Sequence, residues 1–229
     1  RFKVKVGAGE EEDARRLTEL AAFFESNLDG QPTITLDGNE QYASIAAFRE
    51  HWEAWREDET VREFLDAGLL LVEQPAHRDE TFAPAVADDF SSWPERPSFI
   101  IDEADGSLDS LPNALDLGYD GASHKNCKGI VKGIANAATL VHATINRKRP
   151  VHLTGEDLAN VGPIALLQDL AIMATFGITH VERNGHHYFR GLSAWPQSVQ
   201  KTILAHHGDL NAAVLALIKD LAHENLIIV

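Results

Sequence analysis

The chain has 229 residues, 44% of them hydrophobic, which is ample for one sizeable core; length alone suggests one or two domains, and a single domain over 1–229 is expected. Acidic residues outnumber basic ones by 35 to 20, a formal charge of −15, so nucleic acid and anionic membranes are both repelled and neither is expected as a partner. The charge leaves a small anionic substrate open, because one bound cation reverses the local field.

Strand-like and helix-like stretches then alternate along the chain, the pattern of parallel βα units. Phe2–Val6 alternates with period two and turns at Gly7-Ala8-Gly9 into an acidic helix start, Glu10-Glu11-Glu12-Asp13, suited to the positive end of a helix dipole. Leu17, Leu20, Ala21 and Phe24 continue it as an apolar stripe. Thr33–Leu36 is a second strand running into Asp37-Gly38-Asn39, and Ile45, Phe48, Trp52 and Trp55 predict a helix behind it. Leu69–Val72 is a continuous apolar run, the mark of a buried parallel strand, and ends at Glu73-Gln74-Pro75.

Residues 77–97, with Pro84, Pro94 and Pro97, read as a loop holding one short helix. Ser98–Ile101 is the next strand and ends at Asp102-Glu103; Ala114–Leu117 belongs to a short helix closed by Gly118. Tyr119–Ser123 leads into Lys125, and Ile130, Ile134, Ala138, Val141 and Ile145 mark a long helix stopped by Pro150. Val151–Leu153 is a short strand, Pro163 suits the first turn of an apolar helix over 164–176, and Ile178–Val181 is the last strand, with no clear helix after it. Seven βα units in series favour a (β/α)8 barrel over an open sheet. The chain opens inside a strand without an initiator methionine, which reads as a fragment lacking the first barrel strand.

The single cysteine, Cys127, permits no intrachain disulfide, no apolar run approaches the ~20 residues that span a bilayer, and there is no signal-peptide pattern. A cytoplasmic protein is expected.

Functional side chains of such barrels project from the C-terminal ends of the strands. Three successive strands end in carboxylates here: Asp37, Glu73 and Asp102. One strand-end acid is ordinarily a helix cap or a solvated group. Three on neighbouring strands would converge on one cation, and hard oxygen donors suit Mg²⁺; without it they repel one another and their pKa values rise. Lys3 and Lys5 share one strand face. Inside a barrel they would form a pair with at least one pKa lowered and usable as a base, whereas outside they would be ordinary snorkelling lysines. Lys125 follows the sixth strand of the full barrel, where a loop lysine is the plainer reading.

Lys3-Val4-Lys5, Leu36-Asp37-Gly38-Asn39, Val72-Glu73-Gln74-Pro75, Ile101-Asp102-Glu103 and Ser123-His124-Lys125 occur in an order that resembles the barrel domain of the enolase superfamily. The likeness is to its muconate-lactonising-enzyme and mandelate-racemase branches. It implies that Asp37, Glu73 and Asp102 are ligands of Mg²⁺, or of Mn²⁺ in its place. It implies further that Lys5 is a base tuned by Lys3, and that Lys125 is a second base, an acid or a cation opposite. Members remove a proton beside a carboxylate and stabilise the ene-diolate with the metal. A small-molecule carboxylate substrate, a homo-oligomer and an α+β capping domain preceding the barrel are implied with it. Racemisation, epimerisation or cycloisomerisation is the leading chemistry, acid-sugar dehydration the alternative, and a non-catalytic binding module the reading from another class.

Some residues depart from the pattern. Asn126-Cys127-Lys128-Gly129 stands where the lysine-dependent branch has Gly-Gly, and His152 is a loose match to a strand-seven histidine. Glu156 and Asp157 have no assigned role, Glu182 is an acid, a substrate contact or a surface group, and the adjacent His186 and His187, which would point apart on an extended segment, read as loop or surface residues rather than a metal pair.

Overall fold

The computed structural model describes residues 1–156, 160, 164–183 and 191–206. Two compact units divide the chain. Arg1–His124 with Val131–Leu153 make the first; Lys125–Ile130 with the described residues from Thr154 onward make the second.

In the first unit, β1 (Phe2–Lys5), β2 (Ile34–Asp37), β3 (Leu69–Glu73), β4 (Phe99–Ile101) and β5 (Gly121–His124) are all parallel. Each pairs with its neighbour in sequence. An open doubly wound sheet reverses its strand order at a switch point, so five strands in unbroken chain order are the staves of a barrel wall. The register sets Lys5 beside Asp37 and Asp37 beside Glu73, which brings the strand-end charges level.

The helices of this unit are α1 (Glu10–Asn27), α2 (Ile45–Trp55), α3 (Glu59–Gly68), α4 (Ala85–Ser91), α5 (Ser110–Leu117) and nearly all of α6 (Ile130–Asn146). α1 buries Leu17, Ala21 and Phe24, and its entry turn is held by buried Asp13, which accepts from the Gly7 N–H at 2.7 Å. Two helices, not one, separate β2 from β3. Ser44 caps α2, accepting from the Ala47 N–H, and Asp58 caps α3, accepting from Thr60 and Val61 N–H at 2.8 and 3.3 Å. The short helix expected between His77 and Pro97 is α4.

Phe48 of α2 meets Phe99 of β4 edge-on at 5.5 Å, with Phe90 and Trp93 against the same ring at 5.2 and 5.8 Å. Each such pair contributes about 0.5–1.5 kcal/mol beyond its buried area, so this aromatic cluster clamps α2 and α4 onto the outside of β4.

α6 does not bury its apolar stripe. The apolar residues that mark the helix in the sequence, Ile130, Ile134, Ala138, Val141 and Ile145, are exposed, while Gly133, Asn136, Leu140 and Ala143 are buried. Asp105 explains this: its buried carboxylate takes the Lys132 ammonium and, at 3.0 Å, the Asn136 amide. A buried carboxylate left without partners is costlier than exposed isoleucines, so the polar contacts set the face.

β6 (His152–Glu156) starts in the first unit and ends in the second. In the second unit its last residues pair in parallel with β7 (Val181–Glu182), Gly155 beside Val181 and Glu156 beside Glu182. α7 (Ala165–Thr175) lays Met173 against Gly155, where a Cβ would fall 2.3 Å from the sulfur. β7 is shorter than predicted, and α8 (Gln197–His206) follows it where no helix was expected. Asp157, Pro163 and the His186-His187 pair lie outside the described residues. Among the described residues no helix is long and apolar enough to cross a membrane.

Candidate active site

Period two on β1 puts Val4 into the outer core and turns Lys3 and Lys5 to the other face. That face is the inner one. The Lys5 ammonium lies 2.6 Å from Asp37 Oδ2, and the Lys3 ammonium lies 3.3 Å from the same oxygen and 3.0 Å from Glu73 Oε1. The two lysines differ in depth: the Lys3 side chain is 14% exposed and that of Lys5 43%. Lys5 is therefore the one a small molecule can reach.

Asp37, Glu73 and Asp102 are each only 1% exposed. Asp37 Oδ1 accepts the Asn39 N–H at 3.0 Å, and oxygens of Glu73 and Asp102 approach within 4.8 Å. The Glu73 carboxyl is pushed up to about 8. Burial is the main cause; Lys3 pulls it down, and the charges of Asp37 and Asp102 push it up again. Asp37 and Glu73 thus share the Lys3 ammonium, Asp37 also holds that of Lys5, and burial favours the protonated form of Glu73.

The loops behind the strand ends lock this spacing. Gly38 must be glycine, since a Cβ there would lie 2.5 Å from the Pro75 Cα. Its N–H donates to the Glu73 carbonyl, and the Tyr42 N–H donates to the Pro75 carbonyl, so the Asp37 and Glu73 loops run in contact. Asn39 has φ of 40°, and its side-chain amide donates to Glu103 Oε1 at 3.3 Å. Glu103 is half-buried, and burial followed by the charge of Asp102 raises its pKa. The sequence reading gave Glu103 no role, although the Asp-Glu doublet at a strand end was its signal.

Lys125 belongs to the second unit, immediately after β5. Its ammonium sits 2.6 Å from Glu156 Oε2, with both side chains largely buried. Glu156, unassigned from sequence, is therefore the partner of Lys125, and Glu182 stands next to it in the strand register. His152 stands at the opposite, N-terminal end of β6. Its backbone N–H donates to the Asp120 carbonyl, and burial lowers the pKa of its imidazole. That position removes it from the strand ends that carry the acids.

The donor set is all hard oxygen and buried, which fits a divalent cation of the Mg²⁺ type.

No protein-family model and no curated protein matches the sequence. Solved structures do. Muconate lactonizing enzyme from Pseudomonas putida aligns at 16% identity with a TM-score of 0.57, covering 82% of this chain and 48% of that one. A dipeptide epimerase from Enterococcus faecalis aligns at 19% identity and TM-score 0.55, covering 80% and 47%. An o-succinylbenzoate synthase from Thermosynechococcus elongatus, complexed with Mg in its active site, aligns at 20% and 0.50, covering 79% and 50%. The chain thus spans about half the length of the structures it matches. At these identities the likeness shows the fold alone: the parallel β/α barrel that these enzymes share.

Proposed function

We propose that this chain is the barrel domain of an enolase-superfamily enzyme that removes a proton adjacent to the carboxylate of a small molecule, leading to racemisation, epimerisation or cycloisomerisation. The observation that carries the reading is the convergence of Lys3 and Lys5 on Asp37 and Glu73, with Asp102 alongside. It is supported by the likeness to an epimerase, to a lactonizing enzyme and to a synthase complexed with Mg.

Asp37, Glu73 and Asp102 would hold the ion, Mg²⁺ by hardness, with Mn²⁺ able to replace it. When bound, it supplies positive charge where a substrate carboxylate becomes more negative as the proton leaves. The remaining work falls to the chain's own groups. Lys5, the more exposed ammonium, exchanges the proton with the substrate carbon. Lys3, deeper and held by Asp37 and Glu73, keeps a positive charge beside it. Lys125, oriented by Glu156, serves as second base, acid or cation. Lysines in these roles favour isomerising chemistry over acid-sugar dehydration. The same reading takes the protein to be a cytoplasmic homo-oligomer without nucleic-acid or membrane partners.

Exchange of the α-proton in D2O, followed by NMR over a panel of carboxylic acids with Mg²⁺ in excess, tests it. Exchange should fall by ~10²–10⁴ in Lys5→Ala. Absence of exchange with every acid would reduce the barrel to a binding module, and full exchange in Lys5→Ala would take the base role away from Lys5.

A further inference from the structure

Gln74 follows Glu73 and is 1% exposed, with a φ of 33° that side chains other than glycine seldom adopt. Its amide is saturated. Oε1 accepts the backbone N–H of Asp102 at 2.8 Å and of Ala104 at 3.2 Å; Nε2 donates to the Ala76 carbonyl and to Thr81 Oγ1, both at 2.8 Å. Two backbone donors on one side and a carbonyl on the other leave no doubt which end is oxygen, and all four bonds a glutamine can make are made.

The placement of these bonds matters. The β3–β4 pairing runs through Val72 with Phe99 and Glu73 with Ile100, and the Gln74 N–H adds a bond to the Ile100 carbonyl. Beyond that point the Asp102 N–H goes to the Gln74 side chain, not to a strand carbonyl. The side chain therefore continues the ladder where the backbone leaves it, between two carboxylates whose oxygens lie within 4.8 Å. Thr81, fully buried, anchors the far end and in turn donates to the His77 carbonyl.

We propose that Gln74 is a positioning residue that sets the separation of the Glu73 and Asp102 carboxylates for a divalent cation, acting through the backbone N–H groups of Asp102 and Ala104. The inference rests on the metal-binding part of the function proposed above. A residue that only filled space could be replaced by an apolar side chain of similar length without altering the affinity of the folded protein for an ion. A positioning residue could not, because the Asp102 carboxylate would lose its fixed distance from Glu73.

Mn²⁺ titration followed by the EPR signal of the free ion separates these cases, with folding of each variant checked by circular dichroism. Gln74→Met should bind Mn²⁺ about 10-fold more weakly or worse, as loss of an outer-sphere partner does elsewhere. Thr81→Val removes one anchor and should weaken binding by about 2- to 3-fold, below the full loss of such a partner. A folded Gln74→Met that binds like the wild type overturns the proposal. If Gln74→Met fails to fold, Thr81→Val decides: a lowered melting temperature with unchanged affinity marks a merely structural role. Wild-type protein that takes up no Mn²⁺, or Glu73→Gln that binds as well as wild type, removes the metal reading itself and this inference with it.

Discussion

Both ends of the strands in the first unit bury carboxylates against cations, with opposite balance. At the N-terminal end Asp120, fully buried just before β5, faces three guanidinium groups. Arg96 lies at 2.7 Å from Oδ2, Arg149 and Arg147 at 3.1 and 3.5 Å from Oδ1, and the Phe99 N–H adds a further bond at 3.1 Å. Arg96 also lies over the Phe90 ring at 4.2 Å. At the C-terminal end Asp37 and Glu73 share Lys3, Asp37 also holds Lys5, and Asp102 lies beside Glu73. One end sets three guanidinium groups around a single acid; the other gathers three buried carboxyls, one of them driven towards its protonated form, and offers oxygens that a further cation could use. The difference separates a device for folding from a device for binding.

Breaking the closed end should therefore have the largest effect on stability. Asp120→Ala leaves Arg96 buried without its counterion, and removing one partner of such a pair costs about 3–5 kcal/mol. Urea unfolding followed by tryptophan fluorescence reads this directly, since Trp52, Trp55 and Trp93 are all buried in the first unit. Added Mg²⁺ should not restore it. A loss below ~1 kcal/mol, the usual worth of an exposed ion pair, would erase the contrast between the two ends.

The open end should respond to pH instead. Glu73 has a folded-state pKa of about 8 against an ordinary value of 4.5, so between these values the folded protein holds a proton that the unfolded chain releases. The sign follows: metal-free stability falls as pH rises from about 4.5 to about 8, with a slope of at most ~1.4 kcal/mol per pH unit. Glu73→Gln should flatten that slope and make the metal-free protein more stable at pH 8. Because an ion competes with the proton, Mg²⁺ should stabilise the wild type more at pH 8 than at pH 5. A wild type and a Glu73→Gln variant with parallel pH profiles would contradict this account.

The acid-rich end was largely legible in the sequence and the arginine-rich end was not. Asp37, Glu73 and Asp102 each close an apolar strand, and a strand has a fixed period and direction, so local pattern carries the side chains to one rim. Lys3 and Lys5 share a face for the same reason. The partners of Asp120 lie 24, 27 and 29 residues from it, Glu156 lies 31 beyond Lys125, and the Gln74 amide reaches 28 residues on to Asp102; none of these spans leaves a periodic mark. The helix at α6 was legible from its apolar spacing, but the face it buries was not. What set that face was a single buried acid, Asp105, on another loop. Local patterns give the staves and their ends; long-range polar contacts decide how helices turn and how the acids are held.

The smallest expected effect lies at the margin of the open end and sharpens where that end stops. Glu103 is half-buried, its pKa raised by burial and then by Asp102, and it accepts a hydrogen bond from Asn39. Glu103→Gln keeps an oxygen that can accept the Asn39 amide while deleting a charge that sits beside Asp102. Metal-free stability at neutral pH should therefore rise by roughly 0.5–1 kcal/mol, less than for Glu73→Gln because the site is wetter. Mn²⁺ affinity should change by less than about threefold, since the expected ligand is the neighbouring Asp102 and deleting an adjacent charge removes only a screened attraction. Measured beside Asp102→Asn, the two variants should differ sharply. Equal collapse of Mn²⁺ binding in both would make Glu103 a ligand in its own right and move the boundary of the site one residue further along the chain.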